Sequence, residues 1–145
     1  MALQILYQID MTHGEVKEVL EDYWLDRAHA PSGDNDKLAR DKLSFEDDKK
    51  DPEVRAFTEK LVLGTLDKKP DIDKMIERFA ENWKIGRMAF VDRNILRLSA
   101  YEICFLEEIP IKVAINEAVE LAKRYGEPDS SKFVNGILDK IAKSQ

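Results

Sequence analysis

The chain has 145 residues, 43% hydrophobic and 36% charged, with a formal charge of −6; this supports one domain with its own core and leaves little length for a second. Its apolar runs are broken by charge well short of the roughly 18 residues that a membrane span needs, and the start MALQILYQID lacks the basic leading region and cleavage site of a secretory signal, so a cytoplasmic protein is expected. Cys104 is the only cysteine, which excludes an intrachain disulfide, and its neighbours Ile103 and Phe105 make a buried, inert thiol the expectation.

In chain order, Leu3, Leu6 and Tyr7 fall at helical spacing between Ala2 and Met11, with no capping residue ahead of them. After His13-Gly14, Val16, Val19, Leu20, Tyr23 and Trp24 predict a second helix that Pro31-Ser32-Gly33 ends. The run Asp34 to Glu53 is dense in charges of both signs and reads as a solvated loop, a weakly docked helix or an insertion around 30–52. Asp51-Pro52-Glu53 starts the next helix, with Val54, Phe57, Leu61 and Gly64 on its inward face. Pro70-Asp71 starts another, whose inward stripe is Ile72, Met75, Ile76, Phe79 and Trp83. From Asp92 to Leu106 few positions are purely polar, which predicts a central helix. Pro110 breaks it, and Val113, Ile115, Ala118, Val119 and Ala122 form the next stripe, closed by Gly126 in a left-handed terminus. Pro128-Asp129-Ser130 restarts the chain with a capping residue before Phe133, Val134, Ile137, Leu138 and Ile141. No alternating strand pattern of useful length is found. The expected fold class is all-α, a bundle of about six or seven helices in a single domain over 1–145.

Catalytic chemistry finds little support. His13 and His29 are the only histidines, and neither forms a metal-ligand spacing with Cys104. No glycine-rich phosphate loop, nucleophile elbow or paired nucleophile and base stands in the sequence, and the doublets Glu107-Glu108 and Asp47-Asp48 read as solvated charge. No catalytic residue, metal or cofactor is expected. A charge of −6 repels phosphate backbones overall, so any contact with nucleic acid must be local. Residues 110–145 hold six Lys or Arg against five Asp or Glu, which leaves −7 on the remainder. The turn from Gly126 to Phe133 lies on that more basic side. Lys132 can meet a phosphate, Ser130 and Ser131 can add donors, and a partly buried Phe133 can stack on an unpaired base; in the competing reading Asp129 or Ser130 is only a cap and Phe133 only core. Gly136, inside the following helix, suggests a face pressed closely by something else.

Three strings, DRNILRLSAYE (Asp92 to Glu102), IPIKVAINEAVELAKRYG (Ile109 to Gly126) and SKFVNGILDKI (Ser131 to Ile141), resemble the signature of the NusB family of transcription antitermination factors. The resemblance implies an all-helical bundle of two small subdomains that binds a boxA RNA element together with NusE, a ribosomal small-subunit protein, and reaches the RNA polymerase elongation complex through other Nus factors. By the same resemblance Asp129, Ser130, Lys132 and Phe133 correspond to the family's RNA-side loop, and Tyr7, Asp92 and Arg93 to positions on or near the NusE-facing surface. The family carries an arginine-rich arm ahead of this point, whereas residues 1–11 hold a single charged side chain, Asp10, so weak, salt-sensitive RNA binding by the chain alone is expected. The alternatives are a protein-only helical scaffold, the detached NusB-like domain of an rRNA cytosine methyltransferase, and a homodimer that covers these apolar faces.

Overall fold

The computed structural model describes residues 1–25, 51–81 and 83–145, and the charged segment expected around 30–52 and His29 lie almost wholly outside them. Among the described residues there are seven α-helices and no strand: α1 Ala2–Thr12, α2 Val16–Trp24, α3 Pro52–Asp67, α4 Lys69–Phe79, α5 Phe90–Phe105, α6 Ile111–Tyr125 and α7 Ser130–Lys143, with a 3-10 turn at Ile85–Arg87. None is long and apolar enough to cross a membrane. The chain divides into two compact units, Met1–Val62 and Leu63–Gln145.

In the first unit α1 packs on α2. Ile5, Leu6 and Val19 are fully enclosed, and the buried Gln4 side-chain oxygen accepts a 2.8 Å hydrogen bond from the Tyr23 hydroxyl. As the sequence implies, α1 begins without a side-chain cap. It ends at His13, an exposed residue in the left-handed region at φ 55°, a conformation that costs a non-glycine residue about 1–2 kcal/mol. Asp51 opens α3 by accepting the Glu53 N–H at 2.9 Å. The inward face of α3 is Thr58, Leu61, Val62 and Thr65, and Phe57 is 43% exposed rather than inward.

In the second unit α5 is central, as expected: it packs against α4, α6 and α7, and every residue from Asn94 to Tyr101 is buried. Apolar side chains on most sides, with the buried polar Asn94, Arg97 and Ser99 among them, let one helix serve three neighbours. The buried seam of α6 is Ala114, Ala118 and Ala122, while Val113 is 48% exposed, so the stripe lies one residue out of phase with the expected one at its start. Arg97 of α5 is clamped to Asp73 of α4 by two bonds, Nε to Oδ1 at 2.8 Å and the terminal nitrogen to Oδ2 at 3.1 Å. Tyr101 stacks on Phe105 at 5.6 Å and lies against Gly64, where any Cβ would collide with its ring and hydroxyl. Cys104 is half-buried, its Sγ 3.6 Å from Met75 Sδ, and burial pushes its thiol pKa up, which keeps it protonated and unreactive.

Glu102 of α5 is held between helices at a cost. Burial, and secondly the nearby Glu117 carboxylate of α6, push its pKa from 4.5 up to about 7. A carboxyl whose folded pKa exceeds its unfolded one binds more protons in the folded state, so its contribution is fully present below about pH 4.5 and is lost as the pH rises through about 7. Glu102→Gln is therefore expected to be more stable than the parent at pH 8, by about 1–2 kcal/mol, and equal to it near pH 4. Urea denaturation at the two pH values checks this; a gap that does not change with pH refutes it.

Candidate nucleic-acid interface

The segment between α4 and α5 turns sharply after Ala80, the C-cap of α4. Glu81 has φ 33°, and its carboxylate lies 3.5 Å from Lys140 of α7. The turn takes Trp83 out of the α4 stripe where its spacing had placed it, and the indole is 52% exposed. Its ring meets Phe133 of α7 edge-on, centroids 6.0 Å apart at 68°. Phe133 is half-buried, so one part of the ring anchors α7 and the rest remains available. An exposed indole beside a partly open phenyl ring is costly to leave in water and suited to cover by a flat apolar surface.

These two rings wall a cleft of about 290 Å³ that is completed by Met88, Ala89, Asp92, Glu127, Asp129 and Ser130. Two local features shape it. Gly126 ends α6 in an extended conformation, φ −92° and ψ −178°, not the left-handed one that its type suggested. The position needs glycine because a Cβ there would come within 2.6 Å of the Ser130 side chain and 2.7 Å of the Ala122 carbonyl. Asp129 occupies the N-cap position of α7 but makes no capping bond with its side chain, so its exposed carboxylate stays at the rim. The Ser130 hydroxyl oxygen instead accepts the Glu127 N–H at 2.9 Å. Ser130 is only 3% exposed and its side chain also hydrogen-bonds the Asp92 carboxyl, which makes it a brace of the turn.

Asp92, in the first turn of α5, forms the cleft's inner wall. Burial raises its pKa; the Ser130 side chain, by hydrogen bonding, opposes the rise and the Glu127 charge adds to it. Among the described residues no donor reaches the enclosed Asp92 Oδ1. Arg93 turns elsewhere, with its guanidinium 4.2 Å from the centre of the Phe90 ring and 3.5 Å from the Ile85 carbonyl. Lys132 is exposed on the first turn of α7. Tyr7 is 7% exposed within the first unit. The fold thus brings Asp92, Asp129, Ser130 and Phe133 to one cleft, sets Lys132 outside its lining, and leaves Tyr7 remote in sequence and inside α1. Among the described residues nothing packs on Gly136, where a Cβ would meet no atom within 4 Å.

Trp83, Met88 and Glu127 belong to the same cleft; the sequence placed Trp83 in an inward stripe and pointed to none of the three as site residues. No run of three His, Cys, Asp or Glu among the described residues is arranged to hold a metal.

The profile of the NusB family matches residues 1–143. The chain belongs to the NusB family. It is 45% identical over 140 residues to the transcription antitermination protein NusB of Bacillus licheniformis, covering 97% of this chain and 89% of the relative. To the protein of the same name from Myxococcus xanthus it is 40% identical over 141 residues, again 97% of this chain and 89% of the relative. Among solved structures, T. maritima NusB superposes with a TM-score of 0.78 at 34% identity, over 99% of this chain and 87% of that one. A crystal structure of the antitermination factors NusB and NusE in complex with double-stranded RNA matches with a TM-score of 0.76 at 26% identity, over 99% of this chain and 92% of that one. The all-α fold of this NusB family member accords with both.

Proposed function

We propose that this chain is a transcription antitermination factor that binds boxA-type RNA together with the ribosomal protein NusE, joins RNA polymerase elongation complexes through other Nus factors and helps them resist termination, notably in ribosomal RNA synthesis. The observation that carries the reading is the aromatic cleft of Trp83 and Phe133, placed in a chain whose relatives are named antitermination proteins. Stacking on side chains such as these is how proteins hold the splayed bases of unpaired RNA. In this reading Phe133 and Trp83 take a base, Lys132 meets a backbone phosphate outside the cleft, and Ser130 and Asp129 set the turn that presents them. Asp92 and Arg93 lie at the start of α5, where a partner protein could share the RNA; Tyr7 supports α1 from within. Residues 1–145 form one NusB-like domain made of the two units, and the protein acts by binding in the cytoplasm rather than as an enzyme.

With −6 overall charge, little affinity can come from counterion release, so a second protein must supply part of it. Fluorescence anisotropy of a labelled boxA RNA, titrated with this chain at low and moderate salt, is expected to show weak binding alone and at least about tenfold tighter, sequence-selective binding once NusE is added. RNA affinity that is unchanged by NusE and indifferent to sequence would overturn the reading.

A further inference from the structure

We propose that the Trp83–Phe133 cleft selects guanine over uracil, by presenting carboxylate acceptors and no cation to the edge of the stacked base; the inference rests on the RNA-binding reading of this site. The lining contains three carboxylates, Asp92, Glu127 and Asp129, and no lysine or arginine. A phosphate entering it would meet like charge on every polar side, so the backbone is kept at the rim and only a base goes in. The one hydroxyl of the lining, on Ser130, accepts the Glu127 N–H on its oxygen and donates its own O–H to the Asp92 carboxyl. The site is therefore rich in acceptors and poor in donors. Asp92 Oδ1 carries this furthest, because it is enclosed and no donor among the described residues satisfies it. Leaving such an atom without a partner is unfavourable until a donor arrives.

The four bases differ in what they offer to such a wall. Guanine carries N1–H and the N2 amino group side by side on its Watson–Crick edge, two donors at the spacing of a carboxylate's two oxygens. Uracil offers a single N3–H between two carbonyl oxygens, both of which would face carboxylates. Adenine and cytosine each pair one amino group with a bare ring nitrogen. Guanine is also a purine and covers more of the Trp83 ring, which is 52% exposed.

The test uses the full chain carrying Trp24→Phe, which leaves Trp83 as the only tryptophan and thus as a reporter inside the cleft; circular dichroism verifies its fold. Its fluorescence is titrated at low salt with a hexamer of uridine, with the same hexamer holding one central guanosine, and with inosine in that place, which keeps N1–H and lacks the amino group. The guanosine hexamer is expected to quench Trp83 with at least about tenfold tighter binding than the uridine hexamer, with inosine between them. Asp92→Asn is expected to bring the guanosine-to-uridine ratio to about twofold or less. Glu127→Gln, which leaves the enclosed carboxyl untouched, is expected to lower the ratio in the same direction. Equal quenching by all three hexamers leaves the RNA-binding reading standing and overturns guanine selection. Binding seen by anisotropy without quenching overturns the placement of the base in this cleft, and binding of none of them overturns the inference, while the reading beneath it stands or falls with the boxA titration in the presence of NusE.

Discussion

Phe133→Ala is expected to weaken RNA binding in the presence of NusE by roughly 5- to 150-fold, the loss of about 1–3 kcal/mol that accompanies removal of one stacking ring. Trp83→Ala should fall in the same range, and the pair together should lose less than the product of the two, because the rings touch at 6.0 Å and serve the same base. Phe133 is half-buried and helps dock the first turn of α7, so part of any loss could come from loosened packing. Phe133→Leu separates these contributions: it keeps an apolar anchor of similar volume and removes the flat face. The anisotropy titration with boxA RNA should therefore show Phe133→Leu close to Phe133→Ala in affinity, and close to the parent in melting temperature. Leucine binding RNA as well as phenylalanine would mean that no base stacks there.

The largest stability effect is expected at Arg97. Its guanidinium is 7% exposed and holds both oxygens of Asp73, itself 18% exposed. Arg97→Ala leaves the Asp73 carboxylate beside an apolar void with no partner, a change that costs about 3–5 kcal/mol. Urea denaturation of the variant measures it. Replacing both partners, as Arg97→Met with Asp73→Leu, should recover most of the loss, since a buried pair costs desolvation that apolar side chains avoid. A loss below about 1 kcal/mol in Arg97→Ala would place the pair among weak surface bridges. The clamp also ties α4 to α5, and the segment bearing Trp83 leaves from the end of α4, so the same variant should bind RNA more weakly where it is still folded.

Most of the helices could be read directly from the chain. Asp51-Pro52, Pro70 and Pro110 each stand within the first turn or at the cap of the helix they announce, because proline's fixed φ and absent N–H are tolerated there and nowhere deeper. The all-round apolar character of Ile95 to Ile103 marked the central helix correctly. The faces were less legible. In α6 Ala118 and Ala122 of the expected stripe are buried, but at its start Ala114 turns inward where Val113 was expected, because valine outranks alanine on any hydrophobicity scale and how closely two helices approach depends on a partner that the α6 sequence does not contain. Phe57 of α3 failed in the same way.

In the cleft, Asp129, Ser130 and Phe133 are neighbours in sequence and could be grouped from it. Asp92 and Trp83 reach them only through tertiary packing and through a left-handed Glu81, a residue type that gives no warning of positive φ. Ser130 could be read from the chain either as a donor or as a cap; that its oxygen accepts the Glu127 amide depends on the path of the turn and not on spacing.

The alanine seam of α6 has an entropic consequence. Docking a helix through leucine or methionine freezes side chains that were free to rotate in the unfolded chain, at up to about 2 kcal/mol for the longest of them. Ala114, Ala118 and Ala122 have no such freedom to lose, while Lys112, Glu117, Glu120 and Lys123 on the same helix remain exposed and keep most of theirs. Ile115, Val119 and Leu121 of the same helix are only half-buried, so the second unit gains a third wall for α5 with little ordering of side chains along the centre of the seam.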